Sequence, residues 1–126
     1  MARILIAEDE ESLRSLVIRA LALDGHDIVA VDNGAEALDV LAREGEEIAL
    51  LLTDIRMPVM DGISLALVAA REHPDLGILL MTGYADQRER AAGLDALVHD
   101  TIAKPFSASM IRSAVNEALI ATARPG

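Results

Sequence analysis

Ile48-Ala49-Leu50-Leu51-Leu52-Thr53-Asp54-Ile55-Arg56-Met57-Pro58-Val59-Met60-Asp61-Gly62 is the stretch whose reading decides the fold. Its five leading apolar residues, Ile48 to Leu52, are too few for a membrane span. They read as a strand buried on both faces, as strands of a parallel sheet are. The run reaches a carboxylate at Asp54, and Pro58 with Asp61-Gly62 builds a turn behind it. An acid released there lies at the carboxyl edge of the sheet, where open α/β folds place their chemistry.

The same grammar repeats on either side. Upstream, Ile4 to Ala7 is a short apolar strand that runs into Glu8-Asp9-Glu10-Glu11, acids that suit a helix N-terminus. Leu13, Leu16, Val17, Ala20 and Leu21 then form one helical stripe, with Arg14, Ser15 and Arg19 turned away, and Asp24-Gly25 stops the helix. Asp27 to Val31 is a second strand, followed by a helix that Asn33 and Glu36 cap and Gly45 closes. Downstream, Gly62 opens a helix with Ile63, Ala66, Leu67 and Ala70 on one face, ended by His73-Pro74. Leu76 to Met81 is a strand reaching Thr82, residues 86–92 form a short helix, and Val98 to Ala103 is the last strand. After Lys104-Pro105-Phe106, Ser107 caps a final helix with Ile111, Ala114, Val115, Ala118 and Leu119 inward. Five alternations of strand and helix predict an α/β fold, a five-stranded parallel sheet flanked by five helices.

Length and charge narrow the function. A chain of 126 residues is read as one domain without an appended output module. With 11 Lys and Arg against 21 Asp and Glu, the formal charge of −10 repels nucleic acid and anionic membrane surfaces, so proteins or cations are the expected partners. Only Tyr84 and Phe106 are aromatic, too few for stacking on bases. There is no cysteine, and no apolar run has the length of a signal peptide or a spanning helix. The expectation is a soluble cytoplasmic protein.

Four strand ends deliver polar residues to one edge: Glu8 and Asp9, Asp54, Thr82 and Lys104. Carboxylates gathered there repel by about 4 kcal/mol per unit-charge pair at ~4 Å and an effective dielectric of ~20. A divalent, oxygen-seeking cation relieves that repulsion. Mg2+, or Mn2+ on the same donors, fits Asp9 and Asp54 as direct ligands with Glu8 acting through water. A lysine and a hydroxyl across the pocket share one client, a phosphoryl group, which Asp54 as nucleophile would carry, Lys104 would neutralise and Thr82 would hydrogen-bond. Asp61 reads as a turn or cap residue, His26, His73 and His99 as scattered surface or helix-end residues, and the methionines as packing.

Glu8-Asp9 after the first strand, Asp54-Ile55-Arg56-Met57-Pro58 with Asp61-Gly62, Thr82-Gly83, and Lys104-Pro105-Phe106 resemble the receiver domains of two-component response regulators. The match runs through nearly the whole chain in order and spacing. The wording Thr-Asp-Ile-x-Met-Pro and Thr-Gly-Tyr is most similar to the short stand-alone regulators of the CpdR and DivK type. The resemblance implies strand order 2-1-3-4-5. It further implies phosphoryl transfer to Asp54 from a histidine kinase or histidine phosphotransfer protein, a metal ligand in the Arg56 carbonyl, and a cis Lys104-Pro105 bond. A protein target would dock on the fourth helix, fifth strand and fifth helix, with the chain a monomer or a weak phosphorylation-dependent dimer. It would be no enzyme beyond its own phosphoryl acceptance and loss.

The chain departs from that family in two places, at Thr101 and in the segment between Tyr84 and Thr101, which lacks a firm helical stripe. Thr101 stands where many receivers carry an inward-turning aromatic, which makes Tyr84 the candidate readout for movement of Thr82. Arg56 and Tyr84 also occupy positions that tune phosphoaspartate lifetime in the family. Two alternatives stay open. One is a relay carrier without its own output; the other is an aspartate-nucleophile phosphatase, for which Arg56 stands where a second acid is needed.

Overall fold

A computed structural model describes residues 2–83, 93–94 and 97–122. In chain order these form β1 (Arg3–Ala7), α1 (Glu11–Ala22), β2 (Asp27–Val31), α2 (Gly34–Glu44), β3 (Leu50–Asp54), α3 (Gly62–Glu72), β4 (Gly77–Thr82), β5 (Asp100–Ala103) and α4 (Ala108–Thr122). The helix expected over 86–92 lies outside the described residues, as does Tyr84. All strand pairs are parallel and the order is β2-β1-β3-β4-β5, as the family resemblance implies.

Strand alternation sorts the core into two layers. Leu5, Ala7, Leu51, Ile78 and Leu80 face α2 and α3, meeting Ala37, Leu41, Leu65 and Ala69. Ile4, Ile6, Leu50, Leu52, Leu79 and Met81 face α1 and α4, meeting Val17, Leu21, Ile111 and Val115. Full burial of each Leu or Ile contributes about 1.5–3 kcal/mol, so these two rows hold the central strands β1, β3 and β4 in place. Every residue of β3 is buried.

Expectations shift at β3, at α3 and at β5, which starts at Asp100 and not at Val98. β3 starts at Leu50 and ends on Asp54, because pairing to β4 extends through Asp54 opposite Met81. Asp54 is thus the last residue of the strand, fixed by sheet pairing. On α3 the buried face is Leu65, Ala66 and Ala69, with Leu67 exposed. The segment Ile63 to Ala70 is apolar nearly all round, so its period does not specify which side is inward.

Helix ends follow local chemistry. Asn33 accepts the Glu36 N–H at 2.9 Å, Asp61 the Ser64 N–H at 2.8 Å, and Ser107 the Met110 N–H at 3.1 Å. Gly25 adopts φ +77 after α1, as a stop glycine should. Gly45 closes α2 by a different route. It stays right-handed, and a Cβ there would lie 2.4 Å from Cε1 of His73, so the α2 end and the α3 end meet over a bare backbone.

Candidate functional site

The rim is built by the parity of the strands. Glu8 continues the row Ile4-Ile6, Asp54 the row Leu50-Leu52, and Lys104 the row that Ile102 begins, all on the α1 and α4 side. That common parity brings three charged residues from distant parts of the chain together. Lys104 Nζ lies 2.8 Å from Asp54 Oδ2 and 3.4 Å from Glu8 Oε1. Carboxylate oxygens of Glu8, Asp9 and Asp54 all fall within 4.8 Å of one another. Thr82 belongs to the alternate row and ends β4 one position past Met81, the partner of Asp54; it is buried, and its carbonyl accepts the Lys104 N–H at 2.7 Å. Lys104-Pro105 is cis.

Several main-chain contacts lock Asp54. Its Oδ1 accepts the Ile55 N–H at 2.8 Å, and its carbonyl accepts the Thr53 hydroxyl at 2.9 Å. Gly62 donates its N–H to the Ile55 carbonyl at 2.7 Å, and a Cβ on Gly62 would stand 1.9 Å from the Asp54 carbonyl oxygen. No side chain fits there, so Gly62 is part of the site and more than a turn signal. Between them, the Met60 N–H reaches the Pro58 carbonyl at 2.8 Å across Val59, whose φ is +69 and whose side chain is exposed.

The electrostatics are out of balance. Glu8 is completely buried, and its pKa is pushed up to about 7. Desolvation is the main cause and the Asp54 charge adds to it, while the Glu10 N–H on Oε2 and the Lys104 charge work the other way. Partial burial disfavours the Lys104 ammonium, but the hydrogen bond and charge of Asp54, with Glu8 behind, outweigh it and raise its pKa. Among the described residues the Lys104 ammonium meets two of these three neighbouring carboxylates, and the donor set is all oxygen. That combination fits a hard divalent ion.

The remaining predicted residues divide. Arg56 is exposed in the turn two residues past Asp54. Thr101 is exposed on the edge strand β5, away from the core row that Ile102 occupies. Arg14 was expected to point outward on α1, but its Nη1 donates to the Glu8 carbonyl at 2.9 Å. The stripe fixes only the direction of Cβ, and a long guanidinium side chain can fold back.

The family model of the response regulator receiver domain matches residues 4–116. The chain belongs to that family. It is 42% identical to the response regulator receiver protein CpdR of Brucella abortus over 120 residues, covering 93% of each chain. It is also 34% identical to a segment of the sensor kinase CckA of Brucella abortus, spanning 94% of this chain and 12% of that one. Against the response regulator FleR of Pseudomonas aeruginosa it spans 22% of the relative's length at 38% identity. A solved CheY-like receiver domain protein from Methanospirillum hungatei superposes with TM-score 0.86 at 26% identity, over 97% of this chain and 96% of the other. Receiver domains of two-component systems bind Mg2+ through an acidic pocket, and an Asp/Glu cluster stands at the rim of this receiver. Among the described residues no helix is long and apolar enough to cross a membrane.

Proposed function

We propose that this receiver is a phosphorylation switch with Asp54 as the acceptor. A carboxylate oxygen of Asp54 attacks the phosphorus of a partner's phosphohistidine. The O–P bond forms as the N–P bond breaks, and the imidazole leaves with the electron pair and takes up a proton. The observation that carries this reading is the 2.8 Å approach of Lys104 Nζ to Asp54 Oδ2 beside two further carboxylates. Asp9, Asp54 and the Arg56 carbonyl would hold Mg2+ or Mn2+, with Glu8 acting through water. When bound, the ion supplies countercharge for the transferring oxygens. Lys104 neutralises the phosphoryl group and Thr82 hydrogen-bonds it, which couples the end of β4 to the site.

The donor is a histidine kinase or a phosphotransfer protein. The output is altered binding of a protein target on the side of β5 and α4, with Tyr84 in place of the aromatic that Thr101 lacks. Turnover of external phosphoesters is disfavoured by Arg56, which stands where such enzymes need a second acid.

Incubation with Mg2+ and a small phosphodonor, followed by intact mass, tests the chemistry. Wild type should gain one phosphoryl group and Asp54→Asn none; equal uptake by both, or none by either, overturns it. The similarity to a segment within a sensor kinase favours a second reading, a relay carrier. A carrier hands its phosphoryl group to a phosphotransfer protein without any change in affinity for a target, whereas a switch changes that affinity by its coupling energy.

A further inference from the structure

Arg14 has no part in the chemistry above, yet it grips the rim. It is the fourth residue of α1, and its guanidinium makes a contact back across the start of the helix. That contact is the hydrogen bond from Nη1 to the Glu8 carbonyl at 2.9 Å. The carbonyl belongs to the planar peptide unit joining Glu8 to Asp9, and the tilt of that plane sets the direction in which the chain leaves toward Asp9. Other tethers hold the neighbouring atoms. The Glu8 N–H donates to the Val31 carbonyl at 3.1 Å, and Glu8 Oε2 accepts the Glu10 N–H at 3.0 Å. Asp9 itself is exposed, so packing does not orient its carboxylate.

We propose that Arg14 is a positioning residue for the cation site: by holding the Glu8 carbonyl it fixes the Glu8–Asp9 peptide plane and with it the spacing of two of the three carboxylates. The inference rests on the reading of Glu8, Asp9 and Asp54 as a Mg2+ site. It has a sign that a mere charge effect lacks. Removing a positive charge beside a cation site strengthens cation binding by Coulomb's law, whereas removing a clamp weakens it.

The test is titration of the purified chain with MgCl2, followed by backbone amide NMR shifts, for wild type, Arg14→Met and Arg14→Lys. Arg14→Met should raise the dissociation constant roughly tenfold, the scale of outer-shell losses at metal sites. Arg14→Lys keeps the charge, but its side chain is one bond shorter and its ammonium does not reach the Glu8 carbonyl in the same geometry, so it should also bind more weakly than wild type. Both losses should persist in ~0.5 M NaCl, where a charge effect is largely screened. Binding by Arg14→Met as tight as wild type or tighter overturns the positioning role and leaves the site standing. If Arg14→Met does not fold, Arg14→Lys decides alone: unchanged affinity overturns the proposal. A wild type that shows no saturable response to Mg2+ fails at the site itself.

Discussion

Glu8 and Asp24 are carboxylic acids flanking the same helix, one before α1 and one after it, and their surroundings push their pKa values in opposite directions. Asp24 takes a two-pronged contact from Arg112 of α4, Nε at 3.1 Å and Nη2 at 2.6 Å. That hydrogen bond and charge hold its carboxyl below the usual range. Glu8 is fully buried, shares one lysine with Asp54, and is pushed up to about 7. An acid that fastens two helices is matched where it stands. The acid at the rim is undermatched among the described residues, as acids of functional sites are.

The contrast can be broken most severely at Gly62. Gly62→Ala places a methyl against the Asp54 carbonyl, which sheet pairing prevents from yielding, and should cost at least about 3 kcal/mol of stability in chemical denaturation. A loss under about 1 kcal/mol would mean that the turn behind Asp54 adjusts freely.

Glu8→Gln sharpens the contrast from the other side. In metal-free protein at pH 8 it should gain stability, on the order of 1 kcal/mol, because a buried charge with too little compensation is removed. The pH dependence has a definite sign. The folded-state pKa of Glu8 lies above its unfolded value of 4.5, so folding takes up a proton between that pH and about 7. Metal-free wild type should therefore lose stability as pH rises through this window, and Glu8→Gln should flatten that part of the profile. Identical profiles would place the titration elsewhere.

The smallest effect belongs to the matched pair. Arg112→Gln should lower the melting temperature slightly, since the pair is solvent-screened, and should leave the Mg2+ titration unchanged. A shift in Mg2+ affinity would join the far end of α1 to the rim.

Much of this was legible in the sequence, for identifiable reasons. The apolar run into Asp54 and the strand ends at Glu8, Thr82 and Lys104 are readable because the unbroken apolar run of a doubly buried strand stops at a charged or hydroxyl residue, a boundary that survives small errors in strand bounds. The inward face of α3 was not, because residues on all its sides are apolar. Gly62 read as punctuation, since its near-contact with the Asp54 carbonyl exists only once the turn closes. Arg14 read as a solvent-facing residue because helical periodicity says nothing about where a long side chain ends.

Among the described residues the carboxylates at the rim outnumber their countercharge, and a divalent cation would supply the rest. The direct measurement is melting temperature against Mg2+ concentration at pH 8, for wild type beside Asp54→Asn. Wild type should climb with the logarithm of Mg2+ once the site begins to fill, and Asp54→Asn should stay nearly flat. Parallel curves, or a wild type indifferent to Mg2+, would rule out a cation held by these carboxylates.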